Sequence, residues 1–372
     1  MIGFIDKRKW LKILIYISLI AFALVGFVLT TVFFAVKLNL TKHGGSIDFN
    51  DRYFQKLSEK EYKISTSDSA YDINKRKALL YSKILVLNEF YPQNANLILN
   101  SFTHNQDIAA TEKMFDALDL KLKDNKVYQE EISKINIPSP REIPNDSLKK
   151  HNLFVWMNTE EWQVLKASIL KDEKVIDSVE KVSGVCSRMI VSVLIGEQIR
   201  LFHSNREAFK KWMQPLKILT TETKYSLGVT GIKEVTAIKT EKYLKDKKSP
   251  FYIGEKYEHL LNFPDSVIQN QRYIRLTNSK NHYYSYLYAA LSIRQINEQW
   301  QKAGFTISQR PEVLATLFNL GYEVSKPKEN PSVGGSRIIV NEKVYTFGSL
   351  AFEFYYSGEL SKEFPVHFSI FK

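Results

Sequence analysis

The chain has 372 residues, of which 44% are hydrophobic and 25% charged, with 15 glycines, 11 prolines and one cysteine. These values exclude a collagen-like, low-complexity or disulfide-stabilised protein, and the length suggests two domains. The formal net charge of +12 favours an anionic partner, such as nucleic acid, a membrane surface or a cell-wall polymer.

The first predicted element is a long apolar segment, since the 24 residues from Ile13 to Val36 carry no charge. At ~1.5 Å per residue, such a helix spans a hydrocarbon core of roughly 30 Å. Basic residues precede the segment and hold the N-terminus in the cytoplasm under the positive-inside rule. The sequence therefore predicts a cytoplasmic tail and transmembrane anchor at 1–37 in the inner (cytoplasmic) membrane. A buried core helix is the alternative.

The predicted topology places residues from about 38 onward in the periplasm or outside the cell. A basic protein in that compartment meets anionic envelope polymers, and nucleic acid is not an expected partner. Cys186 has no second cysteine with which to form an intramolecular disulfide. It lies in an apolar helical pattern, which is typical of a small core residue.

Residues 38–135 are predicted to form a stalk and a small helical unit. The polar segment 42–69 indicates a stalk or a partly helical linker. From Asp72 onward, apolar residues at three-to-four spacing predict a helix that Pro92 ends. Further helical patterns follow at 95–102, 108–120 and 127–135. This unit is a candidate for binding envelope protein partners.

Three prolines between 138 and 144 predict a linker at 136–150, because that density is incompatible with a helix or a central strand. Beyond it, residues 151–372 are predicted to form a largely helical domain. Asn158 or Thr159 caps the first helix of this domain. The other predicted elements are helices at 185–202, 283–304 and 311–320, a short hairpin at 336–347, and a docked aromatic segment at 352–360.

Glu197 is the candidate for acid–base chemistry. It shares a helix face with apolar residues, including Val193 and Leu201, and is therefore partly desolvated. Desolvation disfavours an ionised carboxylate, and a general acid at neutral pH must be protonated. The alternative is a structural glutamate paired with a cation, Arg188 or Arg200.

The segment from Ser226 to Ala237 is the second candidate feature. Gly228 and Gly231 let the backbone approach a ligand, and a helix is predicted to begin near Glu234. Farther along the chain, the segment 315–321 ends another predicted helix with the sequence Phe318-Asn319-Leu320-Gly321.

The order of these segments resembles the lysozyme-like lytic transglycosylases of the SLT type. That family has a glutamate near the end of an apolar helix, then a Gly-Leu-Met-Gln-Ile-x-Pro-x-Thr-Ala type loop and an Ala-Tyr-Asn-Ala-Gly type helix end. The resemblance covers residues from about 155 to 322. Within it, Gln198 replaces the usual serine, Gly231 the glutamine of the loop, and Phe318 the tyrosine.

The resemblance implies a mainly α protein in which the N-terminal transmembrane helix and the small helical unit precede a lysozyme-like α+β domain with a short C-terminal hairpin. It also implies cleavage of peptidoglycan glycan strands between N-acetylmuramic acid and N-acetylglucosamine, with Glu197 as the single catalytic acid/base. The residues implied to bind substrate are Ser226, Gly228, Thr230, Gly231, Phe318 and Asn319.

Two alternatives to a lytic transglycosylase stay open. One is a non-catalytic lysozyme-like module that binds glycan or acts as a scaffold for envelope proteins. The other is a hydrolase that uses water and a second carboxylate, for which Glu222 and Glu234 are the candidates. Both lie in polar stretches, which favours a solvated surface position for each of them. The histidines show no paired metal-ligand spacing, and neither a metal nor a cofactor is predicted.

Overall fold

The computed structural model describes residues 7–37, 45–60, 62, 69–135, 151–202, 226–264 and 268–372. The predicted linker at 136–150 and Glu222 lie outside the described residues. The chain divides into two units, and the helix at 7–37 is the described part of the first. All described residues from Gly45 onward belong to the second.

The apolar N-terminal segment forms helix α1, Lys7–Lys37. Within the described residues, however, no helix reaches the combination of length and apolarity that crossing a membrane requires. This finding corrects the predicted fold class, in which the transmembrane helix was wrong.

The second unit begins with a short strand and five helices. Residues predicted as a stalk or partly helical linker contain helix α2, in which Phe54 is only 1% exposed. Helix α3 starts with a capping box between Ser69 and Asp72, and Pro92 is the first residue of α4. The bounds are β1 Ser46–Ile47, α2 Asp51–Glu59, α3 Ala70–Phe90, α4 Pro92–Asn105, α5 Ile108–Leu122 and α6 Lys126–Ser133.

Among the described residues, eight further α-helices follow the 3₁₀ turn Val155–Asn158. The predicted cap Thr159 is confirmed, since its side chain accepts a hydrogen bond from the backbone N–H of Trp162 at 3.3 Å. Helices α8 and α11 were not predicted. The bounds are α7 Glu160–Lys171, α8 Glu173–Ser183, α9 Ser187–Phe202, α10 Glu234–Lys245, α11 Ile268–Thr277, α12 Tyr283–Lys302, α13 Pro311–Leu320 and α14 Phe347–Ser357.

Sheet structure in the described residues is limited to three antiparallel two-stranded pairs, β1 with β4, β2 with β3, and β5 with β6. The predicted C-terminal hairpin is confirmed as the pair β5–β6, and Asn341 and Glu342 both adopt positive φ at its turn. The remaining strands are β2 Ser226–Leu227, β3 Ile232–Lys233, β4 Gly334–Gly335, β5 Arg337–Val340 and β6 Lys343–Thr346. The described chain is thus mainly helical with little sheet.

The core of the second unit is built around α9 and α14. All eleven residues of α14 are buried, and so are the residues of α9 from Ser187 to Glu197. A helix that is buried on every side must be surrounded by other elements. Helix α14 packs against α9, α13 and α5. The aromatic segment predicted to dock onto the domain is therefore part of its centre.

Arg188 joins these two helices from the first turn of α9. Its guanidinium is fully buried and donates to the backbone carbonyls of Phe354 and Tyr355 at 2.8 and 2.6 Å, in the last turn of α14. It also donates to the carbonyls of Glu359 and Phe364 at 3.0 and 2.7 Å. Carbonyls at a helix C-terminus lack intrahelical hydrogen-bond donors and carry partial negative charge. The guanidinium therefore provides both hydrogen bonds and a compensating positive charge. Burial nevertheless lowers the pKa of Arg188 to about 10.

Lys113 is a partly buried cation of the same unit. Its ammonium donates to the carbonyl of Gln309 at 2.8 Å and lies 4.8–5.7 Å from the ring centres of Tyr62, Tyr356 and Phe368. Burial lowers its pKa to about 8, a shift that the nearby carboxylate of Glu312 partly opposes. Lys113 therefore ties α5 to the C-terminal part of the chain, although the charged amine is poorly solvated there.

Replacing Arg188 by methionine should strongly destabilise the second unit. The carbonyls of Tyr355, Glu359 and Phe364 would lose this donor while staying buried, whereas that of Phe354 keeps the Ser357 hydroxyl. Each unsatisfied buried group costs about 1–3 kcal/mol. We expect a loss of about 4 kcal/mol or more in the free energy of unfolding, measured by urea denaturation. Arg337→Met, at an exposed position, should change it by less than about 0.5 kcal/mol. Equal losses in both variants would contradict the role given to Arg188.

Lys113 should make the stability of the protein rise with pH between 8 and 10.5. In that window the unfolded chain binds the proton and the folded chain does not, because the folded pKa is the lower one. From pH 7 to 9.5, wild type should therefore gain about 2 kcal/mol of unfolding free energy relative to Lys113→Met. Lys126→Met, at an exposed site, should show no such change relative to wild type. If the unfolding free energy of wild type fell relative to that of Lys113→Met as the pH rises, the prediction would be wrong.

Candidate active site

Glu197 lies near the end of the buried helix α9, and only 3% of its surface is exposed. Arg200, three residues later and on the same face, donates from Nε to Oε2 at 3.2 Å and from a terminal nitrogen to Oε1. Of the two cations considered as partners, Arg200 is therefore the one that pairs with Glu197. Arg188 donates to the carbonyls near the end of α14 instead.

The turn of the β2–β3 hairpin lies directly against this carboxyl group. A Cβ atom built on Gly231 would overlap the carboxyl carbon and Oε1 of Glu197. Gly231 also has φ of +64°, a conformation that side chains disfavour. The absence of a side chain at this position thus lets the backbone of the turn contact the acid.

Gly228 is required at the other end of the turn for a similar reason. Its φ is +68°, and a Cβ there would overlap the carbonyl oxygen of Leu276, the penultimate residue of α11. Between the glycines, Gln198 of α9 donates to the carbonyl of Val229 at 2.5 Å. The turn is therefore held between the end of α9 and the end of α11.

Thr230 fixes the same turn to helix α12. Its hydroxyl donates to the carbonyl of Ser285 at 3.0 Å and lies 2.9 Å from the hydroxyl of that residue. The backbone N–H of Thr230 also contacts this hydroxyl, at 3.3 Å. Because Thr230 has no exposed surface, its contribution in this structure is to position the turn. Ser226, at the base of the hairpin, pairs with Lys233.

Phe318 and Asn319 lie at the end of α13. The ring of Phe318 is 6.3 Å from that of Phe347, which in turn packs so closely on Gly196 that a Cβ there would be 2.8 Å from the ring. Phe318 is thereby connected to the residue next to Glu197. Asn319 instead accepts a hydrogen bond from the backbone N–H of Ser336 at 2.8 Å and fixes the chain beside β4.

Glu234, a candidate second carboxylate, is the first residue of α10, and its side chain is 11% exposed. Its Oε1 lies 3.6 Å from Arg272, which also forms two hydrogen bonds of 2.7 Å with Glu241. The expectation of a solvated surface residue does not hold for Glu234. In the described part of the chain, no three histidine, cysteine or acidic side chains come together as a metal site.

Several contacts of the turn were not foreseen. Ser285 and Leu276 hold it in place, yet neither residue belongs to a recognisable motif. Arg275, beside Leu276, stacks between Phe263 and Tyr284 at 4.1 and 4.3 Å. The only sequence signal for this arrangement is the spacing of the two glycines, which indicates a tight turn without indicating what packs around it.

The assembled site consists of the buried carboxyl group of Glu197, with Arg200 on one side and the backbone of the turn at Gly231 on the other. Such an arrangement suits chemistry that needs a single proton donor and acceptor. No family model, curated protein or solved structure matches this chain. The function of the protein is therefore inferred from this geometry and from the motifs in its sequence.

Gly231→Ala should destabilise the protein more than an ordinary glycine substitution. The added methyl group meets the Glu197 carboxyl group, and the left-handed conformation is disfavoured as well, so we expect a loss of about 2–5 kcal/mol. Gly304→Ala is the matched control, with φ of +85° and open space around the new Cβ, and should cost about 1–2 kcal/mol. Chemical denaturation measures both values. Equal losses would show that the turn does not contact the acid.

Proposed function

We propose that this protein is a peptidoglycan lytic transglycosylase that cleaves the bond between N-acetylmuramic acid and N-acetylglucosamine. The observation that carries the proposal is the position of Glu197, a buried acid at the end of a core helix in direct contact with the glycine turn. This is the pairing of acid and loop that the family resemblance implies. The proposal places the second unit in contact with the cell wall, outside the cytoplasm.

On this proposal, Glu197 acts twice in one turnover. Its protonated form gives a proton to the glycosidic oxygen, and the bond from that oxygen to the muramic anomeric carbon breaks. The carboxylate so formed takes the proton of the muramic 6-hydroxyl, whose oxygen bonds to the same anomeric carbon. The products are a free N-acetylglucosamine hydroxyl and a 1,6-anhydromuramic end, and Glu197 is protonated again.

A hydrolase with two carboxylates is less well supported. Such an enzyme needs a second acid across the glycosidic bond from the first. Glu234 is the described candidate, and its carboxylate lies against Arg272, which is itself bound bidentately by Glu241. The single-acid mechanism needs no such partner, and we therefore prefer it.

A non-catalytic glycan-binding module is the second candidate function, and one observation favours it. Both oxygens of Glu197 are bound by Arg200, so the acid is not free to contact a glycosidic oxygen in this arrangement. An inactive relative of such enzymes would keep the fold while its glutamate is held by the arginine in this way. Envelope proteins would then be the functional partners, with peptidoglycan as the attachment site.

Analysis of soluble products by mass spectrometry separates the three functions. The full chain is incubated with purified peptidoglycan, and the released fragments are weighed. Anhydro-muropeptides support the transglycosylase, reducing ends support the hydrolase, and retention on peptidoglycan without release supports the binding module.

Glu197→Gln should lower turnover by roughly 10²–10⁴, the usual contribution of general acid–base catalysis. The amide cannot donate and recover the proton. The fold should be retained, because the amide oxygen still accepts a hydrogen bond from Arg200. Release of anhydro-muropeptides measures the activity, and sedimentation with peptidoglycan measures the binding, which should be unchanged.

Glu353→Gln is the matched control, because Glu353 is equally buried, at 3% exposed, and is bound by Lys121 and by the indole N–H of Trp156. It removes a buried carboxylate without altering the proposed site, so activity should stay within a few-fold of wild type. Cleavage by the Glu197 variant at the wild-type rate would rule out the assignment of the acid.

A further inference from the structure

A small cavity lies between helices α2, α5 and α14 of the second unit, and Ser58, Lys113 and Tyr356 are among the residues that line it. Its volume is about 30 Å³, whereas a single water molecule needs about 10–15 Å³ of such space. Ser58 is exposed, while Phe352 and Tyr356 are only 3% and 1% exposed, so the cavity runs from the surface into the core. It therefore admits a ligand of about two or three non-hydrogen atoms.

The amine of Lys113 has hydrogen-bonding capacity left for such a ligand. An ammonium carries three N–H donors, and the carbonyl of Gln309 accepts from it at 2.8 Å. In the described part of the chain, no second acceptor lies within hydrogen-bonding distance of this nitrogen. Since Lys113 lines the cavity, its amine contacts the space that a ligand would occupy.

Tyr356 contributes a hydroxyl group that lacks a partner. Its phenolic oxygen is buried, and the described residues offer it no hydrogen bond. Such groups are costly and therefore rare in folded proteins. Burial, and then the charge of Glu312, raises the pKa of Tyr356 well above its ordinary value, so the hydroxyl stays protonated and can donate. An oxygen atom of a ligand in the cavity is a suitable acceptor.

The surroundings of Lys113 also favour its neutral form. Burial lowers the pKa of Lys113 to about 8, and Arg310 acts in the same direction. Three acids act in the opposite direction and are outweighed: Glu312, Asp116 and Asp107. At pH 7.5 about a quarter of the Lys113 amines are thus neutral, against roughly 0.1% for an ordinary lysine. A neutral amine is a nucleophile toward carbonyl carbon.

We propose that Lys113 is a covalent binding site for a short aliphatic aldehyde, which it holds as an imine, and that the hydroxyl of Tyr356 binds the carbonyl oxygen during the attack. The cavity and these two side chains supply the three things that the reaction needs, which are space, a nucleophile and a donor to the oxygen. This inference goes beyond the proposed function and does not depend on it.

The reaction is balanced in atoms and in charge. The ammonium first gives a proton to solvent, and the neutral Nζ then forms a bond to the carbonyl carbon. The electron pair of the C=O double bond moves to the oxygen, which takes a proton from the nitrogen and becomes a hydroxyl group. The nitrogen lone pair expels this hydroxyl, which leaves as water with the proton from solvent. Ammonium and aldehyde have then become iminium and water.

The iminium suits the site because it keeps the positive charge of the amine. The ring faces of Tyr62 and Phe368, 5.2 and 4.8 Å from Nζ, attract a cation. The iminium also keeps one N–H, which the carbonyl of Gln309 can still accept. A carbamate formed from carbon dioxide would instead be an anion near Glu312 and Asp116, which repel it. An aldehyde is therefore the better ligand.

The first experiment traps the imine in the full-length protein with acetaldehyde and sodium cyanoborohydride at pH 7.5. Reduction converts the imine to an N-ethyl lysine, which peptide mass spectrometry assigns to a position. Lys113 should be ethylated at least about 10-fold faster than the exposed Lys126, since much more of it is neutral. Benzaldehyde, which is too large for the cavity, should show no preference for Lys113. Equal rates at Lys113 and Lys126 with acetaldehyde would overturn the proposal.

Tyr356→Phe tests the hydroxyl group. It should slow ethylation of Lys113 by about 10-fold, the effect of one hydrogen bond, and leave that of Lys126 unchanged. The fold should be retained, because this hydroxyl has no partner in the described residues. Tyr257→Phe is the matched control, since it removes another buried hydroxyl without a described partner, outside the cavity. A wild-type rate at Lys113 in Tyr356→Phe would refute the role of the hydroxyl.

The pH dependence provides a readout that a merely structural lysine would not give. Between pH 7.5 and 10 an ordinary lysine gains far more neutral amine than Lys113 does, so the ratio of the two ethylation rates should fall by about 50-fold. A constant ratio would contradict the reactive amine. Carbon-13 spectra of the protein with labelled acetaldehyde should show an imine signal that Lys113→Met lacks. A carbamate signal at Lys113 with labelled bicarbonate, and no imine signal, would overturn the choice of an aldehyde.

Discussion

The buried guanidinium of Arg188 is the interaction on which the architecture of the second unit depends. It binds four carbonyls that come from the last turn of α14 and from the chain beyond it. Apart from the Phe354 carbonyl, which also accepts from the Ser357 hydroxyl, these groups would otherwise be buried without this donor, and a helix ending inside a protein needs such a partner. Because Arg188 lies in the first turn of α9, it fixes this helix to α14.

The position of Glu197 follows from that connection. It is nine positions from Arg188 on the same helix, or about 13.5 Å along the axis. Because the helix is rigid and fully packed, the contacts of Arg188 at its start also determine the position of Glu197 near its end. Gly196 then admits the ring of Phe347, which brings the first residue of α14 next to the acid. Core packing and site geometry are thus parts of the same arrangement.

The parts of the fold that local patterns predicted are those with local causes. Pro311 begins α13, Thr159 caps α7, and Asn341, a residue type that tolerates positive φ, lies in the β5–β6 turn. The burial of α14 on every side was not predicted, because it depends on three helices distant in sequence. Helix α2 was obscured by the polar character of its segment, although Phe54 anchors it in the core.

The same distinction applies to the candidate site. Spacing along a helix decides between the two possible cations, since Arg200 is one turn from Glu197 and Arg188 is more than two. The contact between Gly231 and Glu197 joins residues 34 positions apart and was implied only by the family resemblance. The roles of Ser285 and Leu276 were not predictable, because nothing in their local sequence indicates that a turn will dock there.

A carboxyl group this deep in the protein needs hydrogen-bonding partners, and Arg200 provides them, because it binds both oxygens of Glu197. On the other side, Gly231 brings the backbone of the turn so close that a methyl group there would overlap the carboxyl group. The position of Glu197 is therefore fixed from two directions, by a cation of its own helix and by a glycine 34 positions farther along the chain. Neither contact could be replaced by another residue type without moving the carboxyl group, so the sequence of the turn and the end of α9 constrain each other.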